Sequence, residues 1–453
     1  MTLLRVFVVA SLAAAVSQVA GERSPTIVLD PGTKYQTITG WEAMSHGGQM
    51  MPNRQLVQPT LLDRAANDLG INRVRLEIRS GSEHMRDTTA EWQAGLLTNL
   101  QLQQVWYTTV NDNDDADVID WNGFHFTELD LKIDQLVNPL RALLEARGEE
   151  LFVNLTYVSF TPNNDLHRKA EEYAEFVLAT YLHIQQKYGW VPDTWEVMLE
   201  PDNVKNWTGE RVGRSIVAAA KRLQAAGFAP RFIAPSTANI RRALTFIDEL
   251  MSVRGARQHV SELSYHRYGA FTDEHLRMIA EKGRRFGVAT AMLEHIGSGY
   301  EHLHHDLTVA QVSAWEQFVL APQRPGPGDN GAQLYMLDDR DPENPRVVMA
   351  RRTKFLRQYF KFIRHGAVRI GATSADPAFD PVAFVHPDGG TVVVVKAEGG
   401  GAFTVGGLPG ATYGVKYTTS AEYDVDLPDI PLASGAALAA AIPAKGVLTI
   451  YRR

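Results

Sequence analysis

The stretch TWEVMLEP, residues 194–201, joins a short apolar run to an acid and a proline. Alternate side chains of a β-strand share a face, so Glu196, Met198 and Glu200 would point one way and the residues between them the other. In a parallel barrel each strand has helices on its outer side and a functional site at its carboxyl end. The stretch therefore predicts a barrel strand that ends at Glu200.

Similar β-prone runs recur between residues 36 and 337, separated by longer segments of helical period. Eight strands that alternate with helices close a barrel. We therefore predict an α/β fold, a (β/α)8 TIM barrel over residues 36–365. The other predicted strands are QTITGWEAM (36–44), INRVRLEIRS (71–80), LFVNLTYVSF (151–160), RFIAPST (231–237), VSELSYHRY (260–268), VATAMLEHI (288–296) and either WEQFVLA (315–321) or AQLYML (332–337).

After about residue 366 the pattern changes to β runs separated by Gly and Pro turns, such as PVAFVHPDGGTVVVVKAEGG (381–400). A sheet of this size needs partners for its edge strands. The segment TIVLD (26–30) lies just before the first barrel strand and is the obvious extra strand. We therefore predict an all-β sandwich side domain built from residues 22–35 together with 366–453.

The N-terminus has the pattern of a secretory signal peptide, with Arg5, a mostly apolar stretch from Val6 to Val16, and then small residues. We predict a signal peptide over residues 1–20 and a secreted or periplasmic protein. The apolar stretch is shorter than the roughly 20 residues that span a bilayer, so we expect no membrane span. Cysteine is absent, which excludes disulfides and a catalytic thiol.

The composition is that of a globular protein, with 45% hydrophobic and 21% charged residues. The formal net charge is -7, and acids and bases are interspersed along the chain. No basic stripe is present that would neutralise phosphates, so nucleic acid is not an expected partner. The oligomeric state is not indicated.

Two predicted strands end on an acid, the fourth on Glu200 and the seventh on Glu294. Glycoside hydrolysis needs two carboxyl groups, one to protonate the leaving oxygen and one to attack the anomeric carbon, and they lie about 5–5.5 Å apart in a retaining enzyme. Either acid alone would be consistent with a solvated strand end. The pair at one barrel mouth predicts the catalytic residues of a glycosidase.

The chain resembles a clan A retaining glycoside hydrolase, most of all family 30, with some likeness to family 39. This resemblance implies Glu200 as general acid/base and Glu294 as nucleophile. It covers nearly the whole chain after the signal peptide, and the stretches that carry it are YQTITGWEA (35–43), TWEVMLEPDN (194–203), AMLEHIG (291–297) and YFKFIRHGAVRIGATS (359–374).

One position departs from the clan pattern, which has an asparagine before the acid/base that bonds the substrate's 2-hydroxyl. This chain has Leu199, which cannot form that bond. Interactions at this hydroxyl supply several kcal/mol in the transition state. Either another group such as Asn203 takes over, or the substrate differs there, or activity is weak.

Further residues near the predicted strand ends are candidates for substrate contact. By resemblance, Arg75 orients the nucleophile, and His266 and Tyr268 line its pocket. Each residue also has an alternative role. The alternatives are an ion pair for Arg75, a packed core position for Tyr268 and a contact with a sugar hydroxyl for His266. The remaining candidates are Asn203, Glu42, His46 and the aromatic residues Trp315, Tyr157, Trp41 and Trp207.

Two clusters of polar residues suggest metal ligands but do not match known patterns. NDNDDAD (111–117) lacks the glycine and terminal glutamate of an EF-hand loop, and EHLHHDL (301–307) lacks zinc-ligand spacing. We predict no metal and no cofactor.

The sequence leaves two functions open. The first is an exported retaining glycoside hydrolase acting on a β-linked glycan or glycoside. The second is a non-catalytic or weakly active carbohydrate-binding protein on the same scaffold, which Leu199 favours. Both have a carbohydrate partner, and fold alone does not separate them.

Overall fold

The computed structural model describes residues 26–161, 165–326 and 328–453, so the predicted signal peptide (1–20) lies outside the described residues. The chain divides into two compact units. One, the barrel unit, contains Gly40–Gly297 and Val312–Ala350. The other, the sandwich unit, contains residues 26–39 of the described chain with Ser298–Gln311 and Arg351–Arg453. The predicted boundaries assigned 298–311 and 351–365 to the barrel.

The barrel unit contains eight parallel strands that close on themselves, because the last strand pairs with the first. This confirms the predicted (β/α)8 fold. The carboxyl ends of all eight strands meet at one mouth, which is where barrel active sites lie. The strands are β2 (Gly40–Met44), β3 (Arg73–Arg79), β4 (Phe152–Val158), β5 (Thr194–Glu196), β6 (Phe232–Asn239), β7 (Val260–Tyr268), β8 (Ala289–Leu293) and β9 (Ala314–Val319).

The eighth barrel strand is β9, which overlaps WEQFVLA, so the first of the two alternatives is correct. AQLYML instead leads into a separate hairpin of β10 (Tyr335–Asp338) and β11 (Arg346–Met349). The strand predicted over 194–201 is shorter than expected and ends at Glu196. The backbone after it still bonds its neighbours, since Val197 N donates to Ile233 O at 3.2 Å.

Nine helices of the described chain follow barrel strands within the barrel unit, and two more belong to the sandwich unit. Thr208 caps one of them by accepting a hydrogen bond from Arg211 N at 3.2 Å. The helices are α1 (Arg54–Asp63), α2 (Thr88–Gln93), α3 (Asn99–Val105), α4 (Thr127–Lys132), α5 (Asn138–Glu145), α6 (Ala170–Tyr188), α7 (Gly209–Ala225), α8 (Ile240–Ser252), α9 (Asp273–Phe286), α10 (Tyr300–His305) and α11 (Thr353–Phe360).

The sandwich unit contains a sheet that joins both chain ends. Its first strand, β1 (Ile27–Thr37), pairs antiparallel with β12 (Val368–Ser374), and Ile27 lies opposite Ser374. The predicted extra strand from TIVLD is therefore confirmed. The strands that complete the sheet are β13 (Phe379–Val385), β14 (Thr391–Ala397), β15 (Gly401–Gly406), β16 (Ala411–Thr419), β17 (Val425–Leu432), β18 (Leu438–Ile442) and β19 (Gly446–Arg452).

Within the described ranges, no helix is long and apolar enough to cross a membrane.

Candidate active site

Glu200 lies just beyond β5, at the mouth of the barrel. Its backbone has φ 49°, in the left-handed region that non-glycine residues rarely adopt, at a cost of about 1 kcal/mol or more. Its N–H donates to Ser236 O at 3.0 Å, which holds this conformation. The turn Pro201–Asn203 follows, and Asn203 Nδ2 donates to Glu200 Oε2 at 2.8 Å. The local fold thus fixes both the backbone and one carboxylate oxygen.

Glu294 follows β8 directly and is 7% exposed. Two donors hold its carboxylate: the Tyr268 hydroxyl at 3.2 Å from Oε1 and Arg75 Nη1 at 3.1 Å from Oε2. Both partners were candidates from the sequence. A carboxylate oriented by two donors is suited to attack a carbon atom in front of it.

His266 lies close to both carboxylates, and its Nδ1 is 2.9 Å from Glu200 Oε1. One oxygen of Glu200, one of Glu294 and a nitrogen of His266 all lie within 4.8 Å of one another. Two carboxyl groups this close at one barrel mouth are compatible with the separation of about 5–5.5 Å between carboxyl groups that a retaining enzyme needs.

Arg75 lies beneath this group, fully buried, and every N–H of its guanidinium has an acceptor. Nε and Nη2 both donate to the carboxylate of Glu196. Nη1 donates to Leu293 O at 2.9 Å and to Glu294. The last N–H, on Nη2, points at His266 Nε2, 3.3 Å away. Arg75 therefore connects three barrel strands to the carboxylate of Glu294.

In the neutral form of His266, the contact with Arg75 selects one of the two tautomers. A guanidinium can only donate, so Nε2 of the neutral imidazole must accept and the proton resides on Nδ1. Nδ1–H then donates to Glu200 Oε1. His266 is thus a donor to Glu200, which favours the ionised form of that carboxyl group.

The pKa values of the two carboxyl groups shift in opposite directions. Burial acts to raise the pKa of Glu200, but the hydrogen bonds from His266 and Asn203 outweigh it and hold the pKa below its usual value. Burial raises the pKa of Glu294, and the donors around it offset this only in part. The surroundings thus favour the ionised form of Glu200 and oppose ionisation of Glu294.

Two buried acids of the barrel interior were not proposed as functional from the sequence. Glu196 neutralises Arg75, and an arginine on an interior strand was the signal that such a partner must exist. Glu316 is fully buried, and neither carboxylate oxygen has a hydrogen-bond partner among the described residues. Burial raises its pKa well above the usual value.

The structure corrects three predicted substrate contacts. Tyr157 and Trp315 are fully buried, and the Tyr157 hydroxyl is occupied by His167 Nδ1 at 2.7 Å. Strand alternation turns Trp315 away from the barrel interior and points Glu316 and Phe318 inward. Phe318 is partly exposed and lies edge-on to a histidine ring, so it replaces Trp315 as the aromatic candidate of β9.

Glu42 is the third correction. Its side chain is fully buried, and Oε2 accepts from Arg73 Nε at 2.6 Å while Oε1 accepts from Asn154 Nδ2 at 3.1 Å. Both oxygens are thus occupied below the mouth of the barrel. His46, another candidate, lies with its Nε2 3.3 Å from Glu77 Oε2.

A metal ion would find three converging donor groups at Glu200, His266 and Glu294, and the described residues offer no other such group. The stretches NDNDDAD and EHLHHDL therefore contain no group of three converging metal-ligand donors. For His266 to ligate through Nδ1, its proton would have to move to Nε2, where it would face the donor of Arg75. The arrangement suits proton transfer better than metal binding.

Comparison with known proteins is consistent with this site. Residues 366–405 match the family model described as the glycosyl hydrolase family 30 beta sandwich domain. No curated protein matches the chain in sequence.

Solved structures resemble the chain over almost its whole length. The catalytic domain of the GH30 xylanase C from Talaromyces cellulolyticus has a TM-score of 0.70 and 15% identity, covering 94% of this chain and 99% of that one. A GH30 endoxylanase from Clostridium papyrosolvens C71 gives 0.67 and 16%, with coverage of 94% and 99%. An endo-β1,6-glucanase gives 0.63 and 16%, with coverage of 95% and 96%. The sandwich segment and the fold together confirm that this chain resembles glycoside hydrolase family 30.

Proposed function

We propose that this protein is a retaining glycoside hydrolase that cleaves a β-linked glycan or glycoside by double displacement. The observation that carries the proposal is the convergence of Glu200, His266 and Glu294 within 4.8 Å at the mouth of a (β/α)8 barrel. Two carboxyl groups at this spacing are what the two-step mechanism requires.

In the first step Glu294 attacks the anomeric carbon while Glu200 gives its proton to the leaving oxygen. Arg75 and Tyr268 hold the attacking carboxylate in place. In the second step Glu200, now ionised, takes a proton from water, which attacks the glycosyl-enzyme. His266 and Asn203 hold Glu200 through both steps.

The first step needs a protonated Glu200 and an ionised Glu294, whereas in the free protein burial opposes ionisation of Glu294. The two groups are close enough for their titrations to be coupled, so they share the proton as a pair. Substrate that displaces water and approaches Glu294 would favour transfer to Glu200.

The relatives indicate the class of substrate. Those compared above are two xylanases and an endo-β1,6-glucanase, which act on β-linked polymers. We propose a β-xylan or β-glucan as substrate for this chain, cleaved outside the cytoplasm after removal of the predicted signal peptide. Leu199 leaves the 2-hydroxyl without the usual amide, and Asn203, bound to Glu200, is the nearby amide group.

The alternative function is carbohydrate binding without turnover. Leu199 and the burial that opposes ionisation of Glu294 favour it. A screen of nitrophenyl β-glycosides, xylan and β-glucans for released sugar separates the two functions, since only the enzyme releases product.

Replacing each acid separately tests the roles. Glu294→Ala should reduce turnover of every glycoside by more than about a thousandfold, and azide should restore it with inverted product stereochemistry. Glu200→Ala should affect poor leaving groups most, because an activated nitrophenolate departs without a proton. Azide should then accelerate turnover with retained stereochemistry.

Two results would change the assignment. An inverted azide product from Glu200→Ala would show that Glu200 is the nucleophile and Glu294 the acid/base. The opposite directions of the two pKa shifts in the free protein allow this exchange. If neither replacement reduced activity on an established substrate, the site itself would be wrong. Glu281→Ala, at an exposed acid on α9, is the matched control and should leave turnover unchanged.

A further inference from the structure

A long groove lies on the outer wall of the barrel, between helices α6 and α7, with a volume of about 1090 Å³. One end is formed by residues 168–171 and by Asn206 and Thr208, at the N-terminal ends of these helices. Helices of a (β/α)8 barrel begin at the face where the strands end. The groove therefore starts on the same face as Glu200 and runs down the wall to Ala226.

The charge of the groove is opposite to that of the chain. The chain carries a net charge of -7, yet the basic side chains that line the groove outnumber the acidic ones. The basic residues are Arg168, Lys169, Arg211, Arg214, Lys221 and Arg222, and the acidic ones are Asp117, Glu171 and Glu210. An anionic ligand is therefore favoured here, although the molecule as a whole repels anions.

Three of these cations, Arg211, Lys221 and Arg222, form no ion pair with a carboxylate in the described ranges of the chain. Arg211 Nη1 donates to Arg168 O, and Arg222 Nη1 donates to Ala116 O. Arg211 Nε is buried and has no partner among the described residues. The two guanidinium groups are thus positioned by backbone carbonyls and have no carboxylate at ion-pair distance in the described ranges, although the charge of Arg222 also acts on the buried Glu175.

The opposite wall and the floor of the groove are apolar. Ala170, Ala174 and Leu178 recur along one face of α6, and Val217 and Ala218 face them from α7. A ligand that fits has flat, weakly polar faces and carries carboxylates along one edge. A chain of sugar rings bearing uronic acid groups has this shape and charge.

We propose that this groove binds a carboxylate-bearing glycan chain, as a second carbohydrate site apart from the carboxylate pair. The choice of a glycan rests on the proposed function, whereas the choice of an anion rests on the charges of the groove alone. Nucleic acid is the other candidate polyanion. The described residues that line the groove include no aromatic ring on which a base or a sugar could stack, so the choice of a glycan rests on the proposed function, and the test includes a DNA duplex.

Binding of sodium polygalacturonate by the full chain tests the proposal, measured by calorimetry at low salt. The matched ligand is the same polymer with its carboxylates methyl-esterified, which removes only the charge. We expect the acidic polymer to bind at least about tenfold more tightly, and added salt to weaken it because screening acts on exposed charges. Equal affinity for the two polymers would overturn the proposal.

Two variants locate the site. Lys221→Gln combined with Arg222→Gln should weaken binding by about three- to tenfold, as expected for two partly solvated charge contacts. Arg241→Gln combined with Arg242→Gln removes the same charge from the exposed face of α8 and should change affinity less than twofold. Lys221→Glu alone, at an exposed position, guards against misfolding of the double variant. Equal losses in the groove and control variants would place binding elsewhere.

The outcomes for the groove and for the proposed function can be told apart. Polygalacturonate has α linkages, so its binding is measured without turnover at a β-specific site. Binding without any hydrolysis of β-glycosides would refute the proposed enzyme and keep the groove. Hydrolysis of β-glycosides without binding of polygalacturonate would support the proposed enzyme and refute the groove. A DNA duplex that bound as tightly as polygalacturonate would show a general polyanion patch and overturn the glycan assignment.

Discussion

The interiors of the two units are built from different kinds of side chain. The barrel interior contains buried ion pairs, among them Arg73 with Glu42 and Arg75 with Glu196, whose side chains are all fully buried. The core of the sandwich is a continuous apolar cluster that includes Val395 and Ile450. The apolar cluster of the sandwich contains no charged residue, whereas the barrel interior contains several that are paired.

The difference shows what each interior is for. Apolar burial contributes about 25 cal/mol for each Å² removed from water, so the sandwich core stabilises its unit directly. A buried ion pair costs desolvation energy that its own attraction often only balances. The barrel retains its charges because Arg75 and its neighbours set the position and protonation of Glu200 and Glu294. The barrel interior is therefore organised for chemistry, and the sandwich interior for stability.

The largest expected effect is from removing the central cation of the barrel. Arg75→Met would leave Glu196 and Glu294 buried without a positive partner, so we expect a loss of about 3–5 kcal/mol in the free energy of unfolding. Activity should fall as well. Denaturant unfolding measures the first effect, and initial rates on a nitrophenyl glycoside measure the second.

Arg86→Met is the matched control, since Arg86 pairs with Glu91 on the surface. Exposed pairs are worth about 0–1 kcal/mol, so this variant should be almost as stable as the parent. Equal losses at Arg75 and Arg86 would mean that burial of the charge network has no special cost.

The second prediction concerns Glu175, a buried acid of the barrel unit that forms no ion pair in the described ranges of the chain. Burial, and then repulsion by Asp112, raise the pKa of Glu175 to about 8. The folded protein holds this proton up to about pH 8, whereas the unfolded chain loses it near the usual value of 4.5. The folded state therefore binds more protons in this window, and stability should fall as pH rises through it, by at most about 1.4 kcal/mol per pH unit.

Unfolding by urea at pH 5, 6, 7 and 8 checks this prediction. Glu175→Gln should remove most of the decline, because the amide cannot ionise. Glu281→Gln takes a charge from the exposed face of α9 and should keep the decline of the parent protein. A flat stability profile for the parent protein would show that Glu175 is ionised throughout.

The smallest expected effects come from exchanging valine and threonine, which have nearly the same shape, once in each unit. Val395→Thr buries a hydroxyl in the apolar sandwich core and should cost about 1–3 kcal/mol. Thr156→Val removes a buried barrel hydroxyl that has no partner among the described residues, so it should be neutral or stabilising by up to about 1 kcal/mol. Melting temperatures of the two variants measure the contrast, and a large loss from Thr156→Val would reveal a hydrogen bond through water.

The sequence by itself was sufficient for the fold and for the carboxylate pair. Period-2 and helical runs predicted the barrel, and turns rich in Gly and Pro predicted the sandwich, because these patterns follow from local backbone geometry. The positions of Glu200 and Glu294 at the ends of two predicted strands indicated that they form a pair. The pairing of β1 with β12 also followed, since an unpaired sheet edge needs a partner.

Only the tertiary structure decided which neighbours reach the site. Trp315 and Phe318 lie three residues apart in one strand, and the exact register at the end of β9 turns the first outward and the second inward. Glu42 looked like a mouth residue, but its distance from the end of the strand leaves it at the level of Arg73. The proton on His266 Nδ1 depends on Arg75, nearly two hundred residues away, and such a contact leaves no trace in local pattern because it is created by closure of the barrel.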